Sequence, residues 1–552
     1  MTDPLAGFSL NELAFEVGRL SILSEFRSGF CSASAPLAQL VEQRTFNPQV
    51  LGSSPRGRTH KNWCTMSKNI LLITLDQFRG DSLGCVGHTL VKTPALDHLA
   101  NNGTLLKRHY SQSSPCAPGR AALYTGMYQM NHRVLANGTP LGDTFDNVAR
   151  MAARNGYLPA LFGYTDQSVD PRVTHSPDDP RLLSYEGVLP GFELVLDLTQ
   201  EFDPWLAMLA AHKVDKSVGF MKLLATEHER PAALSVSTFL TDEFLQWRES
   251  RDGPWFAHLS YFRPHPPFSA AGEFSTMYDP ADVDLPIAPS ETRHPLYEYL
   301  LTSTTNAAPS DEDKIRRMRS QYYGMISEVD AQLGRIWDAL KQSGDWDNTL
   351  IVITSDHGEM LGDHGLREKV GYWEESHHIL GIVRDPAHRA SQGKVVEKFT
   401  ENVDILPTIC DYIGAEIPTQ CNGRSLYSLL SGDQTVDWRT HAAWEFDWSH
   451  VLIDSDNPQW KWSTGLTRCA LAVIRTDTHG YVQFADGEYL CFDLQTDPTW
   501  RTSETDLSKV FELSRQMNAW RMQNNRHEFT GFLVADGGKG RWPSGVPWRD
   551  KK

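Results

Sequence analysis

Residues 69–77, NILLITLDQ, and residues 349–357, TLIVITSDH, decide the fold. Each is a short, unbroken apolar run that ends in polar side chains. A strand covered on both faces reads this way because neither face meets water, whereas a half-exposed antiparallel strand alternates. "YLPALFGY" (157–164) and "WFAHLSYF" (255–262) read as further strands. Helical signals fall between them: 94–103 closed by Gly103, then 119–131, then 144–155 opened by a threonine cap. Residues 312–343 carry the clearest helical stripe, with Ile315, Met318, Tyr322, Met325, Val329, Ile336 and Leu340 on one face. Residues 180–250 read as an irregular lid or insertion. The alternation predicts an α/β fold with a large mixed, mostly parallel sheet flanked by helices. Short strand-like pieces and a helix near 506–522 then predict a smaller C-terminal α+β domain.

The chain is 552 residues long, too long for one core, and its composition is that of an ordinary globular protein. Residues 423–433 close the alternating region, so the expected units are 66–433 and 434–552. The first 65 residues lack this patterning. They read as a spurious or disordered extension, with the working chain starting at Met66. The net charge of −17 and the lack of a basic stripe argue against nucleic acid as a partner. The eight cysteines include no CxxC pair, which argues against a zinc ribbon or a disulfide framework. No apolar run approaches the length of a membrane span, so no membrane partner is expected. Asp3, Glu12 and Glu16 stand where a secretory signal would be basic and then apolar, and the expected location is cytoplasmic.

The two deciding strands also point to chemistry. Asp76 and Gln77 follow one, and Asp356 and His357 follow the other. Sites in open α/β sheets gather outside the carboxyl ends of strands, so these four side chains can converge. Three oxygens and an imidazole can hold one divalent cation. Taken singly, a strand-end Asp more often caps the following helix. A further motif, Cys116-Ala-Pro-Gly-Arg120 followed by AALYTG, puts Pro118 in the first turn of a helix and Cys116 at its N-terminus. Free N–H groups there favour an anion, and Arg120 lies one turn on, on the same face.

CxPxR followed by LxTG is the pattern by which sulfatases have their cysteine oxidised to formylglycine. From Met66 onward the chain resembles a sulfatase of the alkaline-phosphatase superfamily, most of all its phosphonate monoester hydrolase and phosphodiesterase branch. The marks are "NILLITLDQFRGD", "CAPGRAALYTGMYQMNHR", "PALFGYT", "YFRPHPPF", "SQYYGMISEVDAQLGRIWDAL", "TSDHGEMLGDHGLREKVGY" and "LCFDLQTDP". The resemblance implies that Asp76, Gln77, Asp356, His357 and modified Cys116 bind one metal ion, Mn²⁺ ahead of Ca²⁺ because His357 brings nitrogen. It implies that Arg120, Asn137, Tyr164, His265 and Lys369 surround a small anionic ester, with His265 protonating the leaving oxygen. It also implies a formylglycine-generating enzyme as a maturation partner; such relatives are often oligomeric, and no residue pattern here specifies that. Asp166 stands where that branch usually has threonine, and "HILG" (378–381) where it has "RIPL". The first departure bears on substrate choice and the second on packing.

Other readings stay open at this level. Gly80-Asp-Ser82-Leu-Gly84 fits the serine-hydrolase elbow, but DQFR separates it from its strand. Phosphomutases and nucleotide pyrophosphatases of the superfamily carry Ser or Thr where Cys116 stands. An arylsulfatase proper, or a binding protein with an unconverted Cys116, remains an alternative. Each supporting residue has a plain reading too: His265 between prolines can simply pack, and Asp363 and His364 read as loop structure.

Overall fold

The structure, a computed structural model, describes residues 68–199, 201–389, 392–432, 435–449 and 468–525, with a strand pair at 533–535 and 539–541. The expected N-terminal extension, residues 1–65, lies outside the described residues.

Asn69–Leu75 (β1) is buried at every position, as its unbroken apolar run requires. Then come Thr104–Tyr110 (β2), Ser113–Ser114 (β3), Pro159–Gly163 (β4), Glu193–Asp197 (β5), Phe256–Tyr261 (β6) and Thr349–Thr354 (β7). His378–Ile379 (β8), Gly381–Arg384 (β9) and Lys394–Glu401 (β10) complete the large sheet. Its order is β10-β2-β9-β7-β1-β6-β4-β5, with β8 beside β2, nine strands in all among the described residues. β1 runs parallel to both β6 and β7, and β4 parallel to β5 and β6. β9 is antiparallel to β7 and β2, so the sheet is mixed and mostly parallel, as the sequence predicts.

Side chains of β1 alternate between two cores, as the two-residue period of a strand dictates. Leu71, Ile73 and Leu75 face a cluster that takes in Tyr322, Met325, Val329 and Ile336 of the helix Glu312–Ser343. Ile70 and Leu72 face another, with Ala117, Ala121 and Leu123 of the helix Cys116–Thr125 and Leu406 and Ile409 of the helix Ile405–Ile413. Fully burying each such aliphatic side chain contributes about 1.5–3 kcal/mol, so the strand is held from both sides. Its carboxyl end is thereby a rigid base for the polar side chains of Asp76 and Gln77.

Local expectations differ from the structure at four places. The helix expected at 144–155 is Val148–Arg154, because Asn147, not the threonine before it, accepts hydrogen bonds from Ala149 N and Arg150 N. The helix expected at 119–131 starts earlier, at Cys116, and breaks at Gly126, whose φ of 69° ends it before the short turn Gln129–His132. The first helix ends at Asn101 and is closed by Asn102, not Gly103. Residues 180–250 are not irregular throughout: they hold β5 and the helices Asp203–Ala211, Phe220–Ala225 and Val236–Glu249.

A second, five-stranded sheet is formed by His441–Asp447 (β11), Ala470–Thr476 (β12), His479–Phe484 (β13) and Tyr489–Asp493 (β14) together with β3. The helix Leu507–Gln523 packs on it through Val510, Leu513 and Met517. β3 is Ser113–Ser114, two residues before Cys116, and it pairs in parallel with Glu445 and Phe446. The smaller C-terminal sheet therefore reaches into the segment that carries Cys116, and the break expected at 433/434 is crossed by a strand pairing.

Candidate active site

Asp76 and Gln77 leave the carboxyl end of β1, and Asp356 and His357 leave that of its neighbour β7. Cys116 opens its helix between them. Gly119, one of the variable positions of the CxPxR motif, lets this helix approach: a Cβ there would collide with the Asp356 carbonyl oxygen and crowd that of Ser113. Asn137 Oδ1 accepts from Ala117 N at 2.9 Å and so satisfies one of the free donors of the first turn.

One ligand atom from each of Asp76, Cys116, Asp356 and His357 lies within 4.8 Å of the others, and all four residues are buried. His357 Nε2 is 3.2 Å from Cys116 Sγ, 3.7 Å from Asp356 Oδ1 and 3.9 Å from Asp76 Oδ1. His357 Nδ1 lies 3.0 Å from the Gly358 carbonyl, which can only accept, so Nδ1 carries the hydrogen and Nε2 presents its lone pair to the cluster. Asp76 Oδ1 is buried and has no hydrogen-bond partner. An unpartnered buried carboxylate oxygen is costly, and a cation at the centre of this set would satisfy it. The residues present therefore fit a divalent metal ion.

Arg120 is wholly buried beneath the cluster. Its Nε donates to Asp356 Oδ2 at 2.8 Å, its Nη2 to Asp76 Oδ2 at 2.9 Å and its Nη1 to Ser260 Oγ at 2.7 Å. The sequence reading has Arg120 reaching a substrate anion; in the fold its donors orient two carboxylates of the cluster instead. Tyr164 Oη also donates to Asp76 Oδ2, at 2.8 Å. Burial acts to raise the pKa of Asp76, but Arg120, His357 and Lys369 outweigh it and hold the carboxyl below its ordinary value. Burial, with Asp76 and Asp356 adding to it, pushes the Cys116 thiol far up.

Gln77, expected as a metal ligand, has a left-handed backbone with φ of 69°, and its side-chain amide is otherwise engaged. Its Nε2 donates to Glu359, and its Oε1 accepts from Lys369 Nζ at 2.8 Å. Lys369 Nζ is also 2.9 Å from His265 Nε2. His265 Nδ1 lies 2.6 Å from the Pro266 carbonyl, so it bears the hydrogen and Nε2 accepts from the lysine. Burial and the neighbouring ammonium push His265 well below its usual pKa, while Cys116, Glu368 and Asp76 overcome burial and raise Lys369. The mobile proton of this pair thus rests on Lys369, not on His265.

Asp166, with φ of 51° and only 5 % exposed, lies 3.3 Å from Arg120 Nε; Arg172 pairs with Asp170. Burial, reinforced by Asp76, Glu186 and Asp356 against the pull of Arg120, raises Asp166 to about 8. Asp76, Cys116, Asn137, Tyr164, Asp166 and His265 all line one cavity. Its remaining lining includes Phe262, which lies within YFRPHPPF, and Tyr185, Glu186, Phe202, Phe220 and Met221, which no sequence motif singled out. Glu359 was also missed. It is fully buried, and its Oε1 accepts from Leu361 N and Glu368 N, linking the Asp356 loop to the Lys369 loop. Its place three residues after Asp356, in an otherwise apolar and glycine-containing turn, is the signal that could have found it. Asp363, read as loop structure, joins Arg79 at 2.6 Å and Arg319 at 3.2 Å beneath the site.

Residues 68–415 match the family model described as Sulfatase, and residues 362–527 that described as N-sulphoglucosamine sulphohydrolase, C-terminal. The chain is 37% identical over 464 residues to the multifunctional alkaline phosphatase superfamily protein PehA of Trinickia caryophylli, covering 78% of this chain and 90% of that protein. An arylsulfatase of Clostridium perfringens is 26% identical over 448 residues, covering 78% and 89%. Among solved structures, the phosphonate monoester hydrolase of Agrobacterium radiobacter superposes with a TM-score of 0.80 at 38% identity, covering 86% of this chain and 100% of that one. The phosphonate monoester hydrolase of Silicibacter pomeroyi gives 0.77 at 35% identity, covering 86% and 99%. With its buried cysteine, carboxylates and histidine gathered at the strand ends, the chain is an ester hydrolase that belongs to the sulfatase family of the alkaline phosphatase superfamily.

Proposed function

We propose that the protein hydrolyses monoanionic esters, phosphonate monoesters and phosphodiesters first and aryl sulfates next, with a formylglycine made from Cys116 as its nucleophile. The observation that carries the reading is the buried quartet of Asp76, Cys116, Asp356 and His357, with one Asp76 carboxylate oxygen unpartnered and the cysteine at a helix N-terminus. Similarity to the two solved phosphonate monoester hydrolases supports the order of substrates.

Asp76, Asp356 and His357 would hold one divalent cation, with Mn²⁺ favoured over Ca²⁺ by the imidazole nitrogen. When bound, that ion supplies Lewis-acid activation of the nucleophile and offsets charge on the ester. A formylglycine formed from Cys116 would supply, as its hydrate, one hydroxyl as nucleophile and a second through which the product anion could leave with return to the aldehyde. The chain's own residues do the rest. Arg120 and Tyr164 keep the Asp76 carboxylate in place. Lys369 carries the mobile proton, its ammonium held by His265 Nε2 and Gln77 Oε1, and would deliver that proton to the leaving oxygen as the ester bond breaks. His265, neutral with its hydrogen on Nδ1, cannot donate from Nε2; it positions the ammonium, and the general acid is the lysine of the Lys369–His265 pair.

The test is a panel of aryl sulfate, phosphate monoester, phosphodiester and phosphonate monoester, assayed on protein whose Cys116 conversion is verified by intact mass. Turnover that needs both conversion and a divalent cation, with phosphonate monoesters and diesters leading, is the expected outcome. Full turnover by unconverted protein would overturn the nucleophile, and a clear lead for aryl sulfates would make the protein an arylsulfatase proper.

A further inference from the structure

The cavity outside Cys116, about 220 Å³ in volume, has a chemistry that its catalytic residues do not explain. A chain of aromatic rings runs away from His265. His265 packs on Phe262 at 4.7 Å, Phe262 meets Phe202 edge to face at 5.2 Å, and Phe202 stacks on Phe220 at 5.5 Å. Because His265 belongs to the pair that supplies the leaving proton, these rings border the leaving alcohol rather than the anion. The charged side chains lining the same cavity are carboxylates: Asp76 of the quartet, and also Asp166 and Glu186. No lysine or arginine is among the described residues that line it.

Two carboxylates beside aromatic rings are a poor surface for a neutral alcohol. They repel the anionic end of the substrate and give the alcohol nothing in return beyond contact with the rings. They are a good surface for a cation. An ammonium is drawn to the negative face of an aromatic ring, and cages of this kind recognise quaternary ammonium ligands. The same ammonium offsets carboxylates held in a partly dry site. Asp166 already leans on Arg120, which also serves Asp76 and Asp356, so one guanidinium is shared among three carboxylates. Glu186 stands farther out, half-buried beside the exposed ring of Tyr185.

We propose that the alcohol released by this enzyme bears a positive charge, a quaternary ammonium or protonated amine a few bonds from the ester oxygen, so that the substrate is zwitterionic. The inference rests on the hydrolase reading above and adds to it the chemistry of the leaving group. In the reaction the bond from phosphorus to the ester oxygen breaks with its electron pair on that oxygen, which takes up a proton. Water supplies the oxygen that replaces it, so the products are a free amino alcohol and a phosphonate anion.

The experiment compares two methylphosphonate monoesters of the same shape, choline methylphosphonate and 3,3-dimethylbutyl methylphosphonate, on converted, metal-loaded protein. They differ only in whether the branched head is a quaternary nitrogen or a carbon, and each has one leaving group. The expected result is a kcat/KM at least tenfold higher for the choline ester, with the ratio falling at least threefold in Glu186→Gln. Equal or lower kcat/KM for the choline ester in the parent protein overturns the proposal whatever the variant does. A preference unchanged in Glu186→Gln overturns its assignment to this wall. Turnover of the neutral ester with no gain for the charged one leaves the hydrolase reading intact, whereas turnover of neither removes that reading and this inference with it.

Discussion

Replacing Asp166 with threonine tests whether charge in the cavity selects among esters. Arg120 Nε lies 3.3 Å from Asp166 Oδ2 and 2.8 Å from Asp356 Oδ2. Asp166 therefore sits within roughly 6 Å of the Asp356 carboxylate of the candidate metal site, a range at which one unit charge acts on another with about 3 kcal/mol at an effective dielectric of about 20. An ester anion bound beside Asp356 would lie at a comparable range from Asp166; with Arg120 offsetting part of the repulsion, about 1 kcal/mol would act against the second negative charge of a phosphate monoester, or about fivefold in kcat/KM. A phosphodiester has only one negative charge and escapes that penalty. Asp166→Thr should raise kcat/KM for an aryl phosphate monoester about fivefold more than for the matching diester. The pH dependence has a definite sign. Burial raises Asp166 to about 8, so its carboxylate forms as pH rises through that value, and a bound divalent cation moves the window lower. Phosphate monoesters are already dianions above about pH 7, their second pKa being about 6. The diester-to-monoester ratio of kcat/KM should then climb with pH in the parent and stay flat in Asp166→Thr. Initial rates with both esters from pH 6.5 to 9 measure it. Equal change in both classes, or a climb that persists without the carboxylate, refutes the reasoning.

Cys116→Ala should lower turnover by orders of magnitude, and Cys116→Ser should stay poor over many turnovers, since one hydroxyl cannot both attack and release; stopped assays with product counted against enzyme decide this. Asp356→Ala should lose the bound divalent cation, read by elemental analysis of the purified protein. Arg120→Ala leaves Asp76 and Asp356 without their buried counter-charge and should destabilise the protein by about 3–5 kcal/mol, seen as a lowered melting temperature. His132 is buried, and burial with nearby Arg133 lowers it to about 3. The unfolded chain takes up a proton below about pH 6.5 that the folded site refuses until about 3, so stability is full above that window and falls through it by about 2 kcal/mol at pH 5. His132→Asn, which retains an acceptor for Val134 N, should narrow the loss of melting temperature between pH 7.5 and pH 5.

The strands that carry the site were legible because their signal is local. NILLITL and TLIVIT are each buried at every position, and an unbroken apolar run of that length has few other homes than the middle of a covered parallel sheet. Asp76, Gln77, Asp356 and His357 follow directly from those strands, and Cys116 and Arg120 from a motif read within one helical turn. The stripe of the helix Glu312–Ser343 was equally plain, since its period repeats over many turns. The tertiary structure decided how these residues face one another. It turned Arg120 toward carboxylates from two different strands, bent Gln77 away to Glu359 and Lys369, and set the proton of the Lys369–His265 pair on the lysine. It also built one wall of the cavity from Tyr185, Glu186, Phe202, Phe220 and Phe262, which belong to no common motif. Strand and helix signals come from neighbours a few residues apart, so one sequence suffices for them. Cavity walls and charge networks join side chains far apart in the chain, and only the packing of the sheet against its helices brings those side chains within reach.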